Sequence, residues 1–234
     1  QLGDRAKQAQ LSSRIKPFLM RRTKEEVAAD LPPKTVIDEI VPLERGQAAL
    51  YESVRTAMDA RVRAAIAKKG LSGSHITILD ALLKLRQACC DPALVKLVAA
   101  RKVTESAKRT RLLELLDELV AEGRKVLIFS QFVEMLRLIE ADVVARGWTY
   151  AMLHGQTKAR DAEVAKFQSG DVDVFLISLK AGGVGLNLTA ADTVIHYDPW
   201  WNPAVERQAM DRAHRIGQDK PVFVHRLIAE NTVE

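Results

Sequence analysis

Short apolar runs alternate with amphipathic stretches in the second half of the chain, from about residue 106 onward. The strands that this pattern predicts lie at 125–129, 149–153, 173–178, 193–197 and 222–227. The helices that it predicts lie at 111–123, 132–146, 158–169 and 203–216. Alternation of this kind is typical of βαβ units, in which helices cover both faces of a parallel sheet. The sequence therefore predicts an α/β fold with a parallel sheet.

The first hundred residues have a different pattern. Residues 11–30 are expected to be helical, and a capping box at Thr23 to Glu26 opens a short helix there that ends at Leu31 to Pro33. An extended segment is expected at 34–43, and helices are expected at 45–69 and 75–90. The two long helices indicate a helical insertion that precedes the α/β part. We place this insertion at 35–105 and the α/β part at 106–234.

Composition narrows the class of protein only slightly. The 234 residues are 47% hydrophobic and 28% charged, which is ordinary for a globular protein. A net charge of +5 permits a nucleic-acid partner without establishing one. No apolar run approaches the roughly 18 residues of a membrane span, and the polar start predicts no signal peptide, so we expect no membrane partner. Because the chain does not begin with Met, we expect it to be part of a longer protein.

The two cysteines and the other side chains that could carry chemistry exclude several kinds of site. Cys89 and Cys90 are adjacent, which suits neither a disulfide nor a zinc site, so we expect reduced thiols in a cytosolic protein. The spacing of His, Cys, Asp and Glu predicts no metal cluster, and no nucleophile–His–acid set is visible. A lone residue such as His154 is more often a structural loop residue than a catalyst.

Ligands of parallel sheets gather beyond the carboxyl ends of the strands. The sequence therefore directs attention to the loops that follow the strands at 125–129, 149–153, 173–178 and 193–197. The first two loops place polar groups where they suit phosphate oxygens. These groups are Ser130, Gln131, His154 and Thr157.

The loop after 173–178 reads LKAGGVGLNLTAAD. Its glycines free the backbone to bring N–H groups close to a ligand. Lys180 offers a positive charge for a phosphate, and Asn187 can hydrogen-bond a ribose or a neighbouring lobe. The alternative is a flexible turn between a strand and a helix, and the sequence leaves both interpretations open.

The helix predicted at 203–216 begins at an Asn202-Pro203 pair that suits a helix start, and it carries two stripes of side chains. An apolar stripe should pack on the sheet, and it consists of Val205, Ala209, Ala213 and Ile216. A polar stripe lies beside it and consists of Gln208, Arg212 and Arg215. Arginines at this spacing can bind a phosphate, but the chain has no glycine-rich phosphate loop. The alternative is a solvated charged edge, although the adjacent Trp200 and Trp201 argue for a partner surface.

Together these segments resemble the second motor lobe of the Swi/Snf-like DNA translocases of helicase superfamily two. The resemblance rests on KVLIFSQF, LHGQT, VFVHRLIAENTVE and above all the run from 174 to 218. Upstream, IKPFLMRRTKEEVAADLPPKT and LYESV resemble the family's lobe-connecting segment, placed at 1–34, and LRQACCDPALV resembles its helical protrusion. One departure is Asp91, where the family often has His before Pro. The fold implied is a RecA-like helicase C-terminal lobe at 106–234.

The resemblance implies roles for particular residues. In this family two RecA-like lobes enclose ATP, and the first lobe holds the phosphate loop and Mg²⁺. Arg212 and Arg215 are then expected to act as arginine fingers with Gln208 nearby, and Gly185 and Asn187 are expected near the nucleotide. The expected contacts to a DNA backbone are Ser130, Gln131, Ser178 and Lys180. His154 and Gly155, in the loop after 149–153, are expected to contact DNA as well. Trp200 is expected to couple DNA binding to lobe closure.

The function implied is that of the C-terminal motor lobe of an ATP-dependent double-stranded DNA translocase or remodeller. The expected cofactors are ATP and Mg²⁺. The expected partners are double-stranded DNA, the N-terminal lobe of the same protein and, as a further candidate, a DNA-bound protein complex. The protein would then work at the bacterial nucleoid in the cytoplasm or, in a eukaryote, in the nucleus. The alternative is a non-catalytic module that binds nucleic acid or protein.

Overall fold

The computed structural model of the chain describes residues 5–18, 31–182, 186–215 and 217–234. The chain divides into two compact units, Gln1–Leu31 and Pro32–Glu234. In the first unit, helix α1 (Arg5–Ile15) is followed by a short 3₁₀ turn at Lys16–Phe18. The helical stretch predicted at 11–30 therefore begins earlier than expected, at Arg5, and its part from 19 to 30 lies outside the described residues. The predicted capping box at Thr23 to Glu26 lies outside the described residues.

In the part of the chain that the structure describes, six strands form one parallel sheet in the order β1-β6-β5-β2-β4-β3. The strands are β1 (Lys34–Val41), β2 (Val126–Ser130), β3 (Tyr150–Leu153), β4 (Val174–Ser178), β5 (Thr193–His196) and β6 (Val222–Ala229). Every residue of β2, β4 and β5 is buried, as expected for central strands that are covered on both faces. The predicted α/β fold with a parallel sheet is confirmed.

Helices cover both faces of the sheet. Their bounds are α4 (Ala107–Ala121), α5 (Val133–Ala145), α6 (Arg160–Gln168), α7 (Leu179–Gly182) and α8 (Pro203–Met210). Alternate residues of β2 enter different cores: Val126 and Ile128 pack with α4 and α5, and Leu127 and Phe129 pack with α6, α7 and α8. This division follows from the two-residue repeat of a strand, in which successive side chains point to opposite faces.

The extended segment predicted at 34–43 forms β1, and this strand belongs to the sheet and not to the helical insertion. β1 pairs in parallel with β6 along its whole length, from Lys34 opposite Val222 to Val41 opposite Ala229. The predicted boundary between the lobe-connecting segment and the insertion, at residue 35, assigns nearly all of this strand to the insertion. The strand and its partner are 188 residues apart, and no local sequence pattern reports a pairing at that distance.

The helical insertion contains α2 (Arg45–Lys69) and α3 (His75–Cys90), with the bounds that the sequence predicted. The two helices pack on a small core of their own that includes Leu50, Val54 and Cys89. Gln47 ties this core to α4: its Nε2 donates to the carbonyl of Ala88 at 3.0 Å, and its Oε1 accepts from the backbone N–H of Ala107 at 2.9 Å.

Helix α8 is shorter than predicted, because it ends at Met210 and the chain continues in turns through Arg215. After Met210 the N–H groups of Arg212 and Ala213 donate to the carbonyls three residues back, those of Ala209 and Met210, each at 3.1 Å, so this segment forms turns. The carbonyls that follow accept from other segments. The N–H of Leu188 donates to the carbonyl of Arg212 at 3.0 Å, and Nε2 of Gln218 donates to the carbonyl of Ala213 at 3.0 Å. Ala213 is still buried in the core, as the apolar stripe predicts, whereas Ile216 lies outside the described residues.

Candidate functional site

The loops singled out from the sequence follow β2, β3, β4 and β5, whose carboxyl ends lie along one edge of the parallel sheet. In the sheet β2 lies between β4 and β5, and β3 flanks β4. The side chains of Gln131, Lys180 and Trp200 therefore belong to loops or turns that leave neighbouring strands. His154 follows the edge strand β3.

Arg212 and Arg215 converge on a single carbonyl although they do not share a helix. Their Nη1 atoms lie 3.5 and 3.3 Å from the oxygen of Leu186, so the first contact is at the outer limit of a hydrogen bond. Arg212 is 8% exposed, whereas Arg215 is exposed. Burial lowers the pKa of the Arg212 guanidinium, and the neighbouring charge of Arg215 lowers it further. Two cations held this close favour a bound anion.

The other residues expected near a nucleotide have mixed placements. Asn187 is exposed and directly follows Leu186, whose carbonyl accepts from the two arginines. Gln208 is exposed on α8, four residues before Arg212. Gly185 lies outside the described residues. The structure thus brings Asn187 and the arginines together.

Ser130 and Ser178 were expected to contact a ligand, but both side chains are buried. The hydroxyl of Ser130 accepts from the backbone N–H of Phe132 at 3.1 Å, and that of Ser178 accepts from the N–H of Ala181 at 3.3 Å. Each hydroxyl therefore stabilises the turn that follows its strand and faces the interior. The sequence could not show this, because the end of a strand can lie inside the protein.

Lys180, His154 and Gly155 are more accessible. Lys180 is exposed on α7, and Gly155 is exposed with open space around it. Nε2 of His154 lies 3.2 Å from Nη2 of Arg137, and its Nδ1 lies 3.3 Å from the N–H of Gln156. A neutral imidazole accepts at one nitrogen only, so one of these contacts is a hydrogen bond and the other is not.

The two tryptophans have different environments. The Trp200 side chain is partly buried against the core, and the backbone N–H of Trp200 donates to Oε1 of Glu206 at 2.6 Å. Trp201 is 74% exposed, with its ring centroid 5.8 Å from that of Trp200. Trp200 therefore packs partly on the core, whereas Trp201 offers an exposed apolar surface.

Two further residues, Arg86 and Asp198, join these loops. Asp198 is 1% exposed, and its Oδ2 accepts from the backbone N–H of Gln131 at 3.1 Å. Burial raises the pKa of Asp198 to about 6, against the opposing effects of the Ser130 hydroxyl and the Lys108 ammonium. Arg86 extends from α3 to within 4.0 Å of Oδ2 of Asp198. Sequence reasoning missed both, although an acidic residue directly after a buried strand was a usable signal for Asp198.

An apolar groove opens beside this network, with a volume of about 440 Å³. Its walls are α3, the two tryptophans and the last residues of the chain, and it is lined by Leu79, Leu82, Leu83, Trp200, Trp201 and Val233. Within the described ranges, no group of three His, Cys, Asp or Glu residues could hold a metal ion. The helices of the same ranges include none that is long and apolar enough to cross a bilayer.

Two protein-family models match the chain. The model of the SNF2-related domain matches residues 2–94, and that of the helicase conserved C-terminal domain matches residues 107–217. Among individual proteins, Bacillus subtilis YwqA, named as a candidate ATP-dependent helicase/translocase, is 43% identical over 99% of this chain and 25% of its own length. The chain spans between 21% and 25% of the length of curated relatives of this kind.

Solved structures agree with these matches. The C-terminal domain of the Sulfolobus solfataricus SWI2/SNF2 ATPase is 34% identical with a TM-score of 0.67, over 86% of this chain and 82% of that one. The Sulfolobus solfataricus SWI2/SNF2 ATPase core in complex with double-stranded DNA is 35% identical with a TM-score of 0.69, over 97% of this chain and 48% of that one. The chain therefore belongs to the Snf2-like family of helicase superfamily two, as a RecA-like C-terminal lobe.

Proposed function

We propose that the chain is the C-terminal motor lobe of an ATP-dependent double-stranded DNA translocase or remodeller. In this proposal Arg212 and Arg215 act as arginine fingers on ATP that is bound by the N-terminal lobe of the same full-length protein. The observation that carries the proposal is the convergence of the two guanidinium groups on the carbonyl of Leu186, beside the exposed Asn187. One guanidinium group can donate two parallel hydrogen bonds to a phosphate group. A phosphate between Arg212 and Arg215 would also offset the repulsion between their charges.

The residues present fit the phosphate end of ATP, and they do not fit its metal ion. The paired arginines supply donors and positive charge, but the described residues include no cluster of metal ligands. We therefore propose that Mg²⁺ and most of the nucleotide are held by the N-terminal lobe. When bound, ATP supplies the phosphoanhydride bond whose hydrolysis drives the motor. Gly185, Asn187 and Gln208 are proposed to lie beside the nucleotide, as in the family.

The contribution of this lobe is electrostatic. During phosphoryl transfer negative charge develops on the phosphoryl oxygens, and Arg212 and Arg215 would stabilise that charge. Because the arginines and the phosphate loop belong to different lobes, they would meet only when the cleft closes. Closure would therefore control the timing of hydrolysis.

Double-stranded DNA is the polymer along which we propose that the motor moves. The exposed Lys180 and the loop of His154 and Gly155 are proposed to contact the phosphate backbone, with Gln131 beside them. Ser130 and Ser178 are proposed to hold the turns that present these groups, since their hydroxyls already accept backbone N–H groups. Trp200 is proposed to couple DNA binding to closure. The DNA complex of the SWI2/SNF2 ATPase core supports a double-stranded partner.

The arginine fingers can be tested in the full-length protein. Arg212→Ala and Arg215→Ala are each expected to lower DNA-stimulated ATP hydrolysis by about 10³-fold or more, the range reported for arginine fingers, while DNA binding is largely retained. Arg207→Ala is the matched control, because Arg207 is exposed on α8 and lies outside the convergent pair. The finger assignment is wrong if both variants hydrolyse ATP at the rate of the unaltered protein.

Two further measurements separate a motor from a passive binding module. The 234-residue chain alone is expected to hydrolyse no ATP above background, and DNA-stimulated turnover by it would contradict the proposal. In the full-length protein, a salt titration of DNA affinity is expected to differ with and without an ATP analogue. A DNA affinity that is independent of the nucleotide would favour the non-catalytic module.

A further inference from the structure

Arg86 is a residue of the helical insertion whose side chain reaches the loops at the edge of the sheet. Its Nη1 donates to Oε1 of Gln131 at 3.1 Å, and its Nη2 donates to the carbonyl of Pro199. The guanidinium carbon lies 5.0 Å from the ring centroid of Trp200, in cation–π contact. The side chain is only 12% exposed. One guanidinium from α3 thus contacts both the loop after β2 and the loop after β5.

The carboxylate of Asp198 completes this arrangement. It is fully enclosed, lies 4.0 Å from Nη2 of Arg86 and accepts from the backbone N–H of Gln131. The loop after β2 is therefore held twice, through the side chain and the backbone of one residue. A planar guanidinium can bind several acceptors and stack on an aromatic ring at the same time, whereas an ammonium group binds as a point charge.

We propose that Arg86 is a positioning residue, which sets the orientation of Gln131 and Trp200 and so makes DNA-stimulated ATP use productive. The inference rests on the proposed function, in which these two residues serve DNA contact and coupling. It adds that the helical insertion takes part in the motor cycle, because Arg86 links α3 to Gln131 and Trp200 at the same time.

The alternative is a purely structural role, in which Arg86 only attaches the helical insertion to the rest of the lobe. Other contacts already provide that attachment. Gln47 bridges α3 and α4, and the hydroxyl of Tyr197 donates to the carbonyl of Cys90 at 2.8 Å. Removal of the Arg86 guanidinium should therefore leave the insertion docked and release the two loops selectively.

The first test is hydrogen exchange of the full-length protein carrying Arg86→Met, which keeps the aliphatic stem and removes the guanidinium. Amides in peptides that span 130–132 and 198–201 are expected to exchange about fivefold faster or more, and those of α2 are expected to be unchanged. Lys84→Met is the matched control, because Lys84 lies on the same helix and pairs with Asp80 at 3.9 Å. Unchanged exchange in both loops would overturn the positioning role.

The second test measures DNA movement, as the displacement of a triplex strand, per ATP hydrolysed. For Arg86→Met this ratio is expected to fall about tenfold, since a misplacement of about 1 Å can cost up to 10²-fold. Arg86→Lys is not expected to restore it, and Lys84→Met is expected to retain it. If the loops are released but the ratio is unchanged, the link to the motor is wrong.

These outcomes are distinguishable from failure of the proposed function. If the unaltered full-length protein shows no DNA-stimulated hydrolysis, the proposed function fails, and hydrogen exchange alone then decides whether Arg86 positions the loops. If the unaltered protein is a motor and Arg86→Met behaves like Lys84→Met in both measurements, the proposed function stands and this inference fails.

Discussion

Lys108 and Glu234 form an ion pair inside the lobe, with side chains 0% and 1% exposed. Nζ of Lys108 lies 2.9 and 2.8 Å from the two carboxylate oxygens. Burial by itself would lower the pKa of Lys108, but the charge of Glu234 raises it above the ordinary value. The lysine is therefore charged at neutral pH. Its removal leaves a carboxylate in the interior that still accepts from the backbone N–H of Ala229 at 2.9 Å but has lost its cation.

Lys108→Met is expected to lower the free energy of unfolding by about 3–5 kcal/mol, the usual cost of a buried charge that has lost its partner. The double variant Lys108→Met/Glu234→Met is expected to lie within about 1 kcal/mol of the unaltered chain, because apolar residues of similar volume often replace a buried pair without loss. Urea denaturation with an unchanged m-value measures both, and the cycle isolates the coupling between the two charges.

Lys125→Met provides the control. Lys125 pairs with Asp173 at 3.2 Å, but both side chains are partly exposed, so the expected loss is about 1 kcal/mol or less. The reasoning about burial is refuted if Lys108→Met costs no more than Lys125→Met, or if the double variant is as unstable as the single one.

Two further predictions concern polar groups in the cores. His196 is buried, and burial lowers its pKa from 6.5 to about 4. The unfolded state therefore binds the proton more tightly, and the contribution of His196 to stability should fall by about 2.5 kcal/mol between pH 7 and pH 4.5. His196→Leu should remove that loss in urea denaturation at pH 7 and 4.5. Gln47→Leu should cost about 2–4 kcal/mol in the same assay, because the buried backbone groups of Ala88 and Ala107 lose their partner.

The predictions for His196 and Gln47 can each be contradicted by a specific result. The pH comparison is made between His196→Leu and the unaltered chain, because Asp198, whose pKa is raised, contributes the opposite slope in the same range. Equal pH dependence of the two proteins would contradict the assignment to His196. A loss below about 1 kcal/mol for Gln47→Leu would show that water replaces the amide.

The sequence predicted those features that depend on local pattern. The continuous apolar runs of β2, β4 and β5 identified the buried strands, and the bounds of α2 and α3 followed from their flanking turn residues. The run from 174 to 218 was sufficient to identify the family. Arg212 and Arg215, the two arginines to which the resemblance gives a role, lie together in the structure. Their role in ATP hydrolysis stays a prediction.

The features that the sequence missed depend on contacts between distant segments. The place of β1 in the sheet is set by β6, and the turns that follow α8 are held by hydrogen bonds from Leu188 and Gln218. The burial of Ser130 and the contacts of Arg86 likewise depend on segments that lie far apart in the chain. Such effects follow from packing, and propensity or periodicity does not report them.

The position of β1 has a consequence for how the polypeptide folds during synthesis. β1 lies at the edge of the sheet, and its neighbour there is β6. A ribosome therefore releases β1 first, and this strand must wait until residues 222–229 emerge before it can complete its ladder. Pairings that connect such remote segments are slow to form. Until then the nascent chain exposes an unpaired strand edge that is prone to aggregation, and a chaperone would act chiefly by covering this edge.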